Sequence, residues 1–520
     1  MPARVDYVIV GAGTAGCVLA ARLSQDPSLR VALLELGAAT SQELPATSDV
    51  NGLFRFWQPG SSEDWGYQTV EQQGLGGRTV PVRRGKILGG CSAINAMLYV
   101  RGNPLDFDEW RALGNEGWGY AQVLDHFKRS ERYLGRASAY HGTAGPLCVV
   151  DYGNASPVSH AFVEAAAELG CGEKYVDFNA SKQDSGAGFY QSTRTALGER
   201  VSAASAFITS NATRHNLALM LQVRAMRVLF EGHRAVGVEY ANGQRLESIH
   251  AEREVVLCAG AFETPKLLLL SGVGPAAELA RLGIPVVRSL PGVGENLHDH
   301  LMLGVGFESK IPLHSPELVV EAGLFTRSPA AAQGLPPDLQ YIFGPLQFIE
   351  PEYRTSGSGF TLTPTLLRPS SRGRLSLASR DPRVPARIDM RYLSSERDID
   401  VLEHGVRFAR ELAHARPFDA LRGRELAPGA RMRSKSELRS YIRKVAGTVW
   451  HPAGTCRMGK GLDAVVDDQL RVHGIAGLRI ADASIMPRLV SGNPNAAVMM
   501  IAEKAAEMIA PRLPANVKQQ

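Results

Sequence analysis

The first strongly patterned stretch is the apolar run Tyr7-Val8-Ile9-Val10, which passes at once into Gly11-Ala12-Gly13-Thr14-Ala15-Gly16 and then into the helical Val18-Leu19-Ala20-Ala21-Arg22-Leu23. Strand, tight turn and helix are predicted in that order. A second apolar run, Val31-Ala32-Leu33-Leu34, ends in Glu35, about twenty residues beyond the last glycine, where a dinucleotide fold places the carboxylate that binds a ribose. Within the turn Gly11 permits the bend, Gly13 lets backbone approach a pyrophosphate, and Gly16 allows close packing. The helix that opens at Thr14 and Ala15 offers unpaired N–H groups to the phosphates.

Another apolar strand, spanning residues 254–260, is expected to rejoin the same sheet, which makes the nucleotide unit discontinuous. Alternating stretches at 219–230, 235–240, 337–342 and 373–377 read as antiparallel strands of a second, substrate-facing sheet. Gly272-Val273-Gly274-Pro275 looks like a second fingerprint, but residues 265–271 before it read as helix and Pro275 suits the start of the next one. A single nucleotide site follows. The expected fold is α/β, in an α+β two-domain form: a Rossmann-like cofactor domain at 1–150, 215–305 and 455–520, and a discontinuous antiparallel-sheet substrate domain at 151–214 and 306–454.

Length supports this division, because 520 residues exceed what one hydrophobic core holds. No apolar run approaches the ~20 residues of a membrane span, and the first residues enter a strand without a charged-then-apolar leader. A cytoplasmic protein without a transmembrane segment is expected. The six cysteines show no CxxC spacing, which argues against a disulfide framework and a structural zinc site. The net charge of +5 is not gathered in one block, so nucleic acid is not an expected partner. His298 and His300 flank Asp299 and read as structural, so no metal is expected.

The segment Arg84-Gly85-Lys86-Ile87-Leu88-Gly89-Gly90-Cys91-Ser92-Ala93-Ile94-Asn95-Ala96 closely resembles the glucose-methanol-choline (GMC) family of FAD-dependent oxidoreductases. Residues 260–275 and 291–297 resemble two further family segments. Trp450-His451-Pro452, Ala481-Asp482-Ala483 and Asn493-Pro494-Asn495 resemble the family's closing motifs, so the likeness runs over nearly the whole chain.

The resemblance implies FAD as cofactor, a small alcohol as substrate, and oxygen or another redox carrier as electron acceptor. His451 matches the catalytic base; with a reference pKa of about 6.5 an imidazole can take the alcohol proton as hydride leaves the adjacent carbon. Asn495 matches its partner, orienting the substrate oxygen, and the helix predicted at 496–509 would direct its positive end at the flavin. Gly90, Ser92, Asn95 and Ala96 match the loop over the isoalloxazine, while Val223, Asp482, Ala483, Asn493 and Pro494 match further FAD contacts. Ile94 stands where some relatives carry the histidine that bonds covalently to FAD, so FAD is expected to be non-covalent. Glu321 and Trp450 are candidate substrate residues: Glu321 looks like the acid of choline-oxidising relatives, yet it could equally belong to a polar network around an uncharged polyol or aryl alcohol. The expected reaction is oxidation of a primary alcohol to an aldehyde, with choline-type or sugar oxidation and a cyanohydrin lyase with redox-idle FAD as alternatives. The 92–102 loop resembles bacterial alcohol and choline dehydrogenases and favours a dehydrogenase over an oxidase.

Overall fold

The computed structural model describes residues 4–39 and 50–511; the leaderless start read at residues 1–3 lies outside the described residues. In chain order the elements that matter for the site begin with β1 (Arg4–Val10), α1 (Thr14–Leu23), β2 (Val31–Leu34), α2 (Cys91–Ile94), β3 (Gly186–Phe189), β4 (Leu217–Met220) and β5 (Val223–Glu231). There follow β6 (Arg234–Asn242), β7 (Arg245–Leu257), α3 (Gly260–Leu270), β8 (Leu301–Met302), β9 (Val305–Ser309) and β10 (Ala322–Thr326). The last are β11 (Leu339–Gly344), β12 (Gly359–Leu366), β13 (Arg422–Ala427), β14 (Gly447–Thr448), β15 (Leu478–Ile480) and α4 (Asn495–Ile509).

The apolar runs form a sheet because both of its faces are covered, the condition under which strands lose their polar alternation. Its order is β4-β2-β1-β7-β6-β5, with β15 also on β7. β1, β2, β4, the end of β7 and β15 are parallel, with Tyr7 opposite Val31 and Val255 opposite Leu478. β7 is long enough to serve two neighbours on one side: its first half pairs antiparallel with β6 and its last residues pair with β15.

The alternating stretches at 219–230 and 235–240 therefore do not belong to the substrate sheet. They fall in β4, β5 and β6, where β5 and β6 form a meander on the edge of the cofactor sheet. Half-buried edge strands alternate in either sheet, so periodicity alone could not assign them. Residues 373–377 likewise leave the substrate sheet, since Arg374–Ser376 pairs with Arg387–Asp389 as a separate ribbon. The stretch at 337–342 does enter it, as β11.

The second sheet runs β13-β9-β12-β11-β10-β3, antiparallel along this path. β8 and β14 extend it: Leu301 pairs with both Leu366 and Thr448. Residues 273–274, the core of the apparent second fingerprint, form a short parallel pair with Arg288–Ser289. Pro275 sits one residue before the helix Ala276–Arg281, as its N-cap.

The two ends of the chain meet on the cofactor sheet. Helix α4 packs on α1, and Arg22 forms a bidentate pair with the buried Glu503 through Nε and Nη2, each at 2.8 Å. Ser130 Oγ donates a third hydrogen bond to the same carboxylate at 2.7 Å.

Candidate active site

One cavity of about 310 Å³ lies at the carboxyl ends of β1 and β2, between them and the second sheet. Open α/β sheets place their ligands there. The N-termini of two long helices open onto it, since Gly13, Thr14 and Ala15 line it at α1 and Asn493, Pro494 and Asn495 at α4. Neither helix has a side-chain N-cap. Their first N–H groups and positive dipole ends are therefore available to an anionic group.

The glycine turn is built for close approach. Gly11 has φ +98°, and a Cβ there would lie 2.6 Å from Cys258 O; at Gly16 it would lie 1.9 Å from Gly11 O. Gly16 thus packs the turn and does not line the cavity. At Gly13 an added Cβ meets nothing closer than Gly90 Cα at 4.0 Å, so the space it would fill is the cradle itself. Gly90, at φ +53°, backs onto Gly13 with room for no side chain, its Cβ position being 2.7 Å from Gly13 Cα.

Glu35 reaches back to this turn, accepting the Ala12 N–H at 2.9 Å and the Gly37 N–H at 2.7 Å. Burial raises its carboxyl pKa while the three backbone donors Gly37, Ala12 and Leu36 oppose the shift. Val223 lines the same end and donates its N–H to Glu35 O at 3.0 Å. Asp482, also in the wall, accepts hydrogen bonds from Gly260 N–H at 2.8 Å, Thr264 Oγ1 at 2.6 Å and Ser484 N–H at 2.8 Å. Ala483 lines the cavity beside it and accepts from Gly454 N–H at 3.1 Å. A chain of glycine cradle, fixed carboxylates and open helix ends fits an elongated dinucleotide such as FAD.

At the other end stands His451. Its backbone N–H donates to the buried Asp299 carboxylate at 2.7 Å, which also accepts from Tyr392 Oη at 2.6 Å and from Thr448 Oγ1. Trp450, just before it, adopts φ +63°, a region costly for a bulky residue and met at functional sites. Its carbonyl accepts from Arg84 Nη1 at 2.7 Å and its N–H donates to Thr448 Oγ1 at 2.6 Å. The Trp450 ring meets Trp57 edge-on at 4.8 Å. Burial, then the neighbouring His300 and Arg84, hold the His451 imidazole well below its ordinary pKa.

Asn493, not Asn495, stands beside the imidazole: its Nδ2 is 3.4 Å from His451 Nε2. Asn495 is the first residue of α4, and its Oδ1 turns back to accept from Thr14 Oγ1 at 2.8 Å, joining the two helix ends. Ser92 also departs from expectation. Its hydroxyl donates to Gly89 O at 2.6 Å and accepts from Ala203 N–H at 2.9 Å, so it braces the loop and leaves the wall to Gly90, Asn95 and Ala96. Asn95 Oδ1 accepts from Met97 N–H and Arg200 Nη1, each at 3.0 Å.

Glu321 lies outside the cavity wall. It is 2% exposed, and its carboxylate accepts from Tyr152 Oη at 2.9 Å, Ser156 N–H at 2.9 Å and Ser159 Oγ at 2.5 Å. Its neighbours Val319 and Val320 line the cavity instead, together with Trp57, Met302, Ile342 and Phe348. The residue that sequence reasoning set aside is His300, whose Nδ1 is 3.0 Å from His451 Nδ1. No group of metal-binding side chains exists among the described residues, and no helix among them is long and apolar enough to cross a membrane.

Fold and site together define an oxidoreductase with a dinucleotide cradle facing an imidazole–amide pair. Family models described as GMC oxidoreductase match residues 5–302 and 369–502. The chain belongs to this family, whose members are FAD flavoproteins. It is 39% identical over 536 residues to an oxygen-dependent choline dehydrogenase of Yersinia pseudotuberculosis, covering 97% of this chain and 93% of that one. Among solved structures it resembles pyridoxine 4-oxidase from Mesorbium loti, with a TM-score of 0.89, 34% identity, and coverage of 97% and 98%. It also resembles formate oxidase from Aspergillus oryzae RIB40 in a variant form, with a TM-score of 0.89, 26% identity and 98% coverage of both chains.

Proposed function

We propose that this chain oxidises a primary alcohol to an aldehyde, and that its substrate is uncharged with an apolar body. The observation that carries the proposal is His451 Nε2 beside the Asn493 amide, in a half-cavity walled by Trp57, Met302, Val320, Ile342 and Phe348. The lining carboxylates are engaged elsewhere: Glu35 with the glycine turn, Glu263 with Tyr67 and Asp482 with α3. Among the charged side chains of the cavity wall it is the cation Arg84 that acts on His451, which disfavours a second cation there.

FAD, when bound, supplies the hydride acceptor. The glycine turn and the α1 N-terminus would hold its pyrophosphate, Glu35 the ribose, Val223 the adenine end, and the α4 N-terminus with Asp482 and Ala483 the flavin end. His451 Nε2 takes the hydroxyl proton, and Asn493 orients the oxygen as the carbinol hydride departs. Non-covalent attachment is supported by Ile94 in the wall and by Cys91 Sγ, which accepts from Arg84 Nη2 at 2.6 Å. The free cysteines support a cytoplasmic setting.

A choline-type substrate is the second reading, favoured by the Yersinia relative and by the Trp57, Trp450 and Phe348 rings. Anaerobic mixing with benzyl alcohol, aliphatic primary alcohols and choline, followed by air, separates the two. Flavin bleaching by the neutral alcohols supports the proposal, and recovery in air identifies oxygen as an acceptor. Bleaching by choline alone refutes the neutral substrate.

A further inference from the structure

We infer that His300 is a positioning residue that fixes the tautomer of His451, accepting the proton on Nδ1 so that Nε2 offers its lone pair to the cavity. The inference rests on His451 being the base. The register of the second sheet brings the rings together. His300 directly precedes β8, Leu301 pairs with Thr448 of β14, and Val449 N–H donates to His300 O at 3.0 Å. The imidazole planes then cross at 83° with the Nδ1 atoms 3.0 Å apart.

Two ring nitrogens at that distance share one proton, since two N–H groups would collide and two lone pairs would repel. The Asn493 amide nitrogen, 3.4 Å from His451 Nε2, is a donor and calls for a lone pair there. A neutral imidazole bears one N–H, so the proton of His451 lies on Nδ1 and His300 Nδ1 accepts it. His300 therefore carries its own proton on Nε2, which is buried without a hydrogen bond of good geometry. The main-chain groups of Leu367 and Val490 act on this ring in the sense that favours an N–H. Burial pushes the His300 pKa down to about 3, so the acceptor stays neutral. A neutral acceptor orients the base without the large rise in basicity that a carboxylate in its place would cause. After His451 Nε2 takes up the substrate proton, Nδ1–H remains bonded to the same acceptor.

The test begins with the ¹⁵N-histidine-labelled FAD holoenzyme, with His451 assigned by comparison with His451→Gln. Nitrogen shifts showing Nδ1–H on His451 support the inference; Nε2–H overturns it, whatever the variants do. Flavin reduction under anaerobic conditions is then compared in His300→Gln, whose amide oxygen can accept, and His300→Leu, which cannot. Flavin absorbance confirms FAD loading in each. The Leu variant is expected to lose roughly tenfold or more, within the range of a general-base contribution, with Gln restoring most of the rate. A full rate in Leu, or equal losses in Leu and Gln, overturns the inference. His451→Ala separates the readings: a full rate there removes the base itself, whereas its loss beside an undiminished His300→Leu removes only the tautomer lock.

Discussion

Replacing Asn493 and Asn495 one at a time distinguishes two amides that sit two residues apart and face different partners. Asn493 lies 3.4 Å from His451 Nε2, where in the proposed mechanism an alcohol oxygen gains negative charge as its proton leaves. Removing one preorganised donor to such an oxygen costs about 2.7–4 kcal/mol, or about 10²–10³ in rate. Asn495 makes a neutral hydrogen bond to Thr14 at 2.8 Å, worth about 0.5–1.5 kcal/mol net. That loss falls on the junction of two helix ends and on FAD affinity. The assay is stopped-flow flavin reduction under anaerobic conditions with FAD content measured in parallel. Asn493→Ala should slow reduction by two to three orders of magnitude, and Asn495→Ala by less than about tenfold. A large loss in Asn495→Ala beside a small one in Asn493→Ala would refute the placement of the pair.

Glu35→Gln replaces an acceptor of two buried N–H groups by an amide that can accept only one of them well. The stranded donor costs about 1–3 kcal/mol of folded-state stability, read as a lower melting temperature. The low pKa of His451, set by burial and then by His300 and Arg84, means that its neutral form persists in mild acid. The flavin reduction rate should stay level as pH falls through about 6.5 and decline only well below it; an acid limb near neutrality contradicts this. His141 bridges Glu131 and Asp177, each at 2.9 Å. Burial opposes its charge, but the two carboxylates prevail and raise its pKa to about 9. Its contribution to stability is therefore complete below about 6.5 and lost as pH rises through about 9. Thermal melting should show that decline, and His141→Gln should flatten it.

The cofactor half was the more legible in sequence because its chemistry is carried by backbone. Gly11 is required by φ and Gly11 and Gly16 by contacts with neighbouring main chain, while Gly13 leaves open the cradle a side chain would fill, and such needs leave few residue choices. Glu35 was equally readable, since strand length and helix length fix where it falls. The substrate half was harder. Asn493 and Asn495 differ only in where the first turn of α4 begins, and a one-residue shift in a helix start moves a side chain by about 100°. His300 meets His451 through the pairing of β8 with β14, two-residue strands with no periodicity to detect. Glu321 stands beside the lining Val319 and Val320 along the chain, but Tyr152, Ser156 and Ser159 claim its carboxylate. Those partners are remote in sequence, and no local pattern announces them.

The union of α1 with α4 also governs when the protein can become active during its synthesis. Thr14 and Arg22 wait for Asn495 and Glu503, so the pocket for the cofactor lacks one of its walls until nearly all 520 residues have emerged. At about 5–20 residues per second that delay is roughly half a minute to two minutes. From the emergence of β7 until that of β15 the edge of the cofactor sheet is unpaired over Val255–Leu257. Until β15 and α4 arrive the cofactor site is incomplete, so flavin capture belongs to the last stage of folding.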